Sequence, residues 1–463
     1  MSAPLLWIFL PMAVAVGLWY LNRRSVLTAA LAAGLCLFLS MFAFMVPIAT
    51  RMQVFGLTVE IGSTLSILGR RFELGAADHT FLALIYLVGA FWFMGAVFFK
   101  PHRFFAPLGL VIISLLIASM AVEPFLYAAL LVEAAVLFSI PILVKPGAPV
   151  RQGVLRFLIF QTLAMPFMLL AGWASTAVEA NPTDQRLLIE AMALFALGVA
   201  FWLAIFPFYN WTPLLAEQAP PFAVGFVFTM IPTTVILMVL EFLNRFAWMR
   251  EFPMLGEGLT WLGVIMVVTA GIWAAFQQNL ARMFAYGLIF ENGFALLALS
   301  LNQQSGYEIL AASLLGRWAA LGLWSLAMES LNSQRGLDFD SLRGVIYRHP
   351  VAAISAVLAC FSIAGLPLLA SYPARQVLLE SVAARSLVAG LWVLVGVAGM
   401  FIGGVRVIST MIAGEDREWH FPEKLSHILL LGLGVVFLFF VGLLPTFSLP
   451  VFTNLLRAFD SLF

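Results

Sequence analysis

Charge is what this chain has least of. Of its 463 residues 10% are Asp, Glu, Lys or Arg, lysine occurs three times, at Lys100, Lys145 and Lys424, and cysteine twice. With 63% hydrophobic residues and a mean hydropathy of +1.03, too little polar surface exists to close a water-soluble domain, so the chain is expected in a bilayer. Cys36 and Cys360 lie inside apolar runs, and no CxxC pair, Cys/His cluster or histidine pair at helical spacing accompanies them. That argues against a zinc, haem or iron–sulfur centre and leaves the cysteines as small buried hydrophobes. No Gly-rich phosphate loop follows a strand, and a net charge of +1 from scattered arginines makes no nucleic-acid-binding stripe. Neither a cofactor nor catalysis by this chain alone is expected.

What the chain has is a succession of apolar runs, each near the roughly 20 residues that carry a helix across hydrocarbon. About fourteen such spans are expected, at 4–21, 25–48, 79–99, 104–122, 124–144, 153–175, 187–211, 222–244, 258–277, 283–301, 307–330, 350–371, 383–411 and 426–447. Runs such as VLTAALAAGLCLFLSMFAF lack the in–out alternation of a barrel strand, which makes the expected class an all-α membrane protein. The first span has no basic leader or cleavage site and reads as a retained helix. Loops after odd-numbered spans hold twelve lysines and arginines against seven on the other side. By the positive-inside rule both termini then lie outside the cytoplasm, in a bacterial inner membrane. The stretch 49–78 reads as two short strands joined by a polar turn, and 332–349 as a solvated loop.

An ionisable side chain inside a span costs roughly 2.5–3.5 kcal/mol on insertion scales, so each one is expected to face a partner or a wet cavity. Glu133, in LLVEAAVLFSI, has no basic residue at helical spacing, and Arg156 at the start of the next span is a possible partner. Burial and a nearby arginine push a carboxyl in opposite directions, and one poised between them loads and releases a proton; a static tie that fixes packing is the alternative. Glu291, Arg317, Arg375, Glu380 and Arg406 follow along later spans. Glutamates and water carry protons in such a row, whereas arginine only holds charge. Glu190, Glu241 and Glu329 fall near span ends, where reaching the interface is easy, and are discounted.

Proline adds a second pattern. LAIFPFYNWTP in the seventh span and AGLPLLASYPAR in the twelfth place Pro207 and Pro367 inside long apolar segments, marking helices 7 and 12 as broken. Interrupted helices at matching positions suggest two inverted five-helix repeats. The expected divisions are 1–99 (three helices with an extramembrane hairpin), 104–244 and 258–411 (the repeats), and 426–463 (a last helix and tail).

Three ordered segments carry a resemblance: GVAFWLAIFPFYNWTPLLAEQAPPFAV, RMFAYGLIFENGFALLAL and SIAGLPLLASYPARQVLL. They resemble the antiporter-like membrane subunits of respiratory complex I (NADH-quinone oxidoreductase), a family shared with membrane-bound hydrogenases and multisubunit cation/proton antiporters. The resemblance implies fourteen helices in two inverted repeats, a fifth-span acid matching Glu133, and an axis of buried lysines. The family lysines fall here on Trp202, Pro232 and Arg375, and the histidine of the family's PFHxW falls on Tyr209. A buried lysine can release a proton, but indole cannot accept one and guanidinium will not give one up. The expected function is therefore a membrane subunit of a complex I-like or hydrogenase-like redox-driven translocase, with other membrane subunits and lipid as partners. Its proton relay would run through Glu133, Glu291 and Glu380, supported by Arg317 and Arg375. The alternatives are a non-pumping structural or coupling subunit of such an assembly, or a free-standing secondary transporter.

Overall fold

The computed structural model describes residues 2–46, 48–49, 51–54, 57–67, 69–144, 147–332, 336–413, 419 and 423–462. Lys145, Arg335, Arg417 and His420, which sequence reading places in loops, lie outside them.

A π-helical turn Leu5–Phe9 leads into α1 (Leu10–Tyr20), followed by α2 (Ser25–Met45), four strands β1 (Arg51–Val54), β2 (Leu57–Glu60), β3 (Thr64–Ile67) and β4 (Arg70–Glu73), α3 (His79–Phe99), α4 (Phe105–Ala121), β5 (Val122–Glu123) and α5 (Ala128–Leu143). Then come α6 (Gln152–Ala180), α7 (Gln185–Trp202), α8 (Trp211–Gln218), α9 (Pro221–Arg245), a short α10 (Ala247–Arg250), α11 (Leu255–Phe276), α12 (Leu280–Ser300) and α13 (Gln304–Asn332). A short α14 (Val345–Arg348), α15 (Pro350–Ala364), α16 (Tyr372–Arg385), α17 (Leu387–Ile412), α18 (Leu425–Leu443) and α19 (Pro445–Leu456) complete the order. Among the described residues eleven helices are long and apolar enough to cross a membrane, and three shorter apolar helices, Leu5–Tyr20, Phe105–Ala121 and Pro350–Ala364, coincide with expected spans. The protein is an all-α membrane protein.

The chain divides into two compact units, one of residues 1–148 and 158–199, the other of 149–157 and 200–463. In the first, α2 lies along α3, and α4 packs on α1 and α5. The stretch expected to give two strands gives four, because each half is itself a hairpin: β1 pairs with β2, and β3 with β4 beside Gly69, whose φ of +74° suits glycine. β4 also pairs with β5, which ties the second hairpin to the end of α4, and Arg70 stacks 3.8 Å from the Tyr127 ring centroid.

In the second unit α12 is buried at every position but Arg282, making it the central helix. Hydrocarbon surroundings give little hydrophobic drive to helix association, so close packing has to supply it. The α11 and α17 backbones meet through glycines: a Cβ on Gly271 would lie 1.9 Å from the Gly396 carbonyl oxygen.

Both expected helix breaks are present. The first separates α7 from α8 across 203–210, with Ala204 at φ +53° and Pro207 ahead of a 3-10 turn, Phe208–Asn210. The second separates α15 from α16 across 365–371. Gly365, at φ +85°, closes α15 with its N–H on the Phe361 and Ser362 carbonyls, and Pro367 follows two residues on. Arg406 lies alongside the C-terminal end of α11 and donates to the Ala275 and Gln277 carbonyls, a cation at the negative end of a helix dipole. Glu329, discounted from sequence as a span-end residue, accepts the Phe222 backbone N–H at 3.0 Å and so caps α9 from α13.

Candidate functional site

Two acidic side chains are buried among the described residues, Glu133 in the first unit and Glu291 in the second. Glu133, on α5, is 8% exposed. Its Oε1 accepts the Thr162 hydroxyl of α6 at 2.7 Å, and Oε2 has no hydrogen-bond partner. Arg156 is exposed on α6. Thr162 carried no signal in the sequence, since a threonine in an apolar helix more often bonds its own backbone.

Glu291, on α12, forms an ion pair with Arg375 of α16. The Arg375 guanidinium also lies 4.4 Å from the Phe294 ring centroid and 5.1 Å from that of Phe290, so one face of α12 supplies both carboxylate and aromatic contacts. The next residue, Asn292, is fully buried and works in both directions. Its Nδ2 donates to the Leu203 carbonyl at 2.7 Å, and its Oδ1 accepts from Arg317 of α13 at 2.6 Å. The Leu203 carbonyl lies in the first helix break, where the helical ladder is interrupted. Arg317 is in turn preceded by Gly316, where a Cβ would stand 2.9 Å from the Ala370 carbonyl oxygen in the second break.

The result is a buried polar cluster: the first break bonds Asn292, Asn292 bonds Arg317, and its neighbour on α12, Glu291, pairs with Arg375, while Gly316 lets α13 approach the second break closely. Two guanidiniums lie there beside one carboxylate, Arg375 paired with it and Arg317 bonded to the neighbouring amide, and among the described residues Arg317 Nε and Arg375 Nη1 have no hydrogen-bond partner. The cluster thus carries a net positive charge, and guanidinium keeps it through any proton step. Sequence reading named Glu291, Arg317 and Arg375 but missed Asn292 as their connector; its signal was a bare amide on an apolar helix, next to the acid.

The other expected residues fall as follows. Pro207 and Pro367 lie in the two breaks. Trp202 ends α7 and is buried, and Pro232 lies inside the fully buried middle of α9. Beside Pro232, Thr233 Oγ1 accepts Trp318 Nε1 of α13 at 3.0 Å. Glu380 is exposed on α16 and accepts from Gln376 at 3.0 Å. Lys100 and Lys424 are exposed outside the helices.

A family model for NADH:quinone oxidoreductase/Mrp antiporter transmembrane segments matches residues 175–403. Over that stretch, just under half of its length, the chain is similar to this antiporter-like membrane-subunit family. The matched stretch contains both breaks and the Glu291, Asn292, Arg317 and Arg375 cluster, whereas Glu133 precedes it. Among curated family members, NADH-quinone oxidoreductase subunit N of Ectopseudomonas mendocina (strain ymp) is 28% identical over 278 residues, 56% of this chain and 54% of that protein, so the chain spans about half the length of that relative. Subunit 14 of the same enzyme from Thermus thermophilus is 24% identical over 444 residues, 92% of this chain and 99% of that protein. Solved structures share the fold. A chain of the membrane-bound sulfane sulfur reductase, an archaeal respiratory membrane complex, aligns with a TM-score of 0.82 at 20% identity, covering 100% of this chain and 98% of its own. One from the Mrp complex of Dietzia sp. DQ12-45-1b aligns at 0.83 with 15% identity, covering 99% and 97%.

Proposed function

We propose that this chain is a membrane subunit of a redox-driven, proton- or ion-translocating assembly of the complex I or hydrogenase kind, seated among other membrane subunits in a bacterial inner membrane with both termini outside the cytoplasm. The observation that carries the reading is the buried polar cluster of Glu291, Asn292, Arg317 and Arg375 beside the two helix breaks. A carboxylate, an amide and two guanidiniums are costly in a bilayer interior, and their mutual contacts concentrate charge where interrupted helices leave backbone groups to bind ions or water. The paired breaks also support the expected two five-helix repeats.

In this reading Trp202, Pro232 and Arg375 occupy the family's lysine stations, so no lysine passes a proton along the axis. Arg375 and Arg317 supply a permanent field, and carboxylates with water move the protons. Glu133, hydrogen-bonded to a neutral hydroxyl, is the exchanging group; Glu380 is a surface station. The test is Glu133→Gln in the intact assembly reconstituted in vesicles, with ions moved measured per electron transferred. A lower ratio is expected, and an unchanged ratio would remove Glu133 from the path.

A specific observation favours a second reading, a non-pumping coupling subunit. Arg375 is held by Glu291 and two aromatic rings, as a static structural tie would be. That reading predicts that Glu291→Gln changes assembly stability while leaving ion movement per electron unaltered.

A further inference from the structure

The first unit has a second concentration of charge that the ion path does not use. The α1–α2 connection carries Arg23 and Arg24, and the α3–α4 connection carries Lys100, His102 and Arg103. Lys100, His102 and Arg103 line a small pocket together with Ser25 and Thr28 from the first turn of α2. Arg23 and Arg24 immediately precede that turn.

Four features give this pocket its chemistry. No Asp or Glu occurs in residues 1–59 or 79–122, which include α1 to α4 and both connections. Among the described residues none of Arg23, Arg24, Lys100 or Arg103 has a carboxylate partner; Arg103 instead lies 4.8 Å from the Phe104 ring centroid. The His102 Nδ1 atom is buried with no hydrogen-bond partner, and burial, then Arg103, holds the imidazole below its ordinary pKa. Finally, α2 and α4 both begin at the pocket, and neither has a side-chain cap on its first free N–H groups, so two positive helix ends add to the four cations.

The surroundings identify the kind of anion. Trp19 stacks on Phe104 at 4.4 Å between centroids, and Tyr20 is 82% exposed beside it, as aromatic side chains at a membrane–water boundary are. Below the pocket, Val26, Leu27 and Leu31 of α2 turn outward and form an apolar track. A free anion would use the cations alone, whereas a phospholipid uses both cations and track.

We propose that this pocket binds the phosphate headgroup of an anionic phospholipid, with its acyl chains lying along the outer face of α2. Lys100, Arg103, Arg23 and Arg24 hold the phosphate electrostatically, and the Ser25 hydroxyl and the first α2 amides are placed to donate to its oxygens, while the Thr28 hydroxyl is held by the Ser25 carbonyl at 2.9 Å. By the positive-inside reading the lipid belongs to the cytoplasmic leaflet. The site is independent of the proposed translocating role.

The test is native mass spectrometry of the full chain within its detergent-solubilised assembly, titrated with phosphatidylglycerol or with phosphatidylcholine. Retention of phosphatidylglycerol in preference to phosphatidylcholine is expected, with about fivefold loss of that preference for each cation neutralised in Lys100→Gln, Arg103→Gln and Arg23→Gln/Arg24→Gln. Arg186→Gln, in the first turn of α7, is expected to leave it intact. High salt should erode the preference in the unmodified chain, which keeps the proposal testable if a variant fails to fold. Equal retention of the two lipids, or a preference that survives Lys100→Gln/Arg103→Gln, overturns the site. Displacement of phosphatidylglycerol by inorganic phosphate alone, or a photo-crosslink from position 103 to a protein instead of a lipid, overturns it in favour of a free anion or an acidic partner.

Discussion

Among the described residues the two units each bury one acid, and they treat it in opposite ways. Glu133 meets a neutral hydroxyl and keeps one oxygen unbonded, while Glu291 is clamped by a guanidinium that is itself packed against two rings. A clamped pair is expensive to break and hard to change during turnover, because loss of either partner strands the other as a buried charge. A hydroxyl-bonded carboxyl strands nothing when its charge changes. On the proposed reading one chain contains a fixed charge and an exchangeable one, and the comparison predicts that stability and ion movement separate between them.

The largest effect should come from Arg375→Met, which leaves Glu291 without a counter-charge and should destabilise the second unit by about 3–5 kcal/mol. Thermal unfolding of the solubilised assembly measures it. The double variant Glu291→Gln/Arg375→Met should recover much of the loss, since both charges then go together. If the single and double variants are equally unstable, the pair is not the clamp described.

Next is Asn292→Ala. It removes the amide shared by the Leu203 carbonyl and Arg317, and each buried group left unsatisfied costs about 1–3 kcal/mol. Gly316→Ala should follow at about 1–3 kcal/mol, because its methyl meets backbone rather than a side chain that can rotate away. Both substitutions should shift the unfolding midpoint without altering α5. A shift confined to Asn292→Ala would mean that α13 can move away from the second break at little cost.

Much of this architecture was legible in the residues because bilayer physics is severe: apolar runs of the right length have few alternatives to helices. Pro207 and Pro367 announced the breaks for a local reason, a missing N–H, whereas the left-handed cap at Gly365 came from the structure. The acids and arginines announced themselves by their cost. Their partners did not, because which helices face each other is decided by long-range packing. Thus Arg156, near in sequence, seemed a natural partner for Glu133, while Thr162 on the same helix holds it. Asn292 looked like a mere neighbour of Glu291 until the fold brought Leu203 and Arg317 to its two ends. Two strands were expected where four occur, since short hairpins leave little period to read.

The smallest stability effects should fall on the first unit, and they sharpen the contrast most. Thr162→Val removes one neutral hydrogen bond and should cost about 0.5–1.5 kcal/mol. Glu133→Gln should cost less, because the glutamine Oε1 still accepts the Thr162 hydroxyl and a neutral amide is no harder to bury than a carboxyl. If Glu133 exchanges protons, that nearly silent substitution should lower the ions moved per electron, while Thr162→Val, which keeps the carboxyl, should preserve transport even as it loosens α5 against α6. A structural glutamate gives the reverse order, with transport tracking stability in both variants. Measuring the two quantities side by side therefore distinguishes an exchanging acid from a packing one, and an equal transport ratio in Glu133→Gln and the unmodified chain would place the fixed and exchangeable charges in the same class.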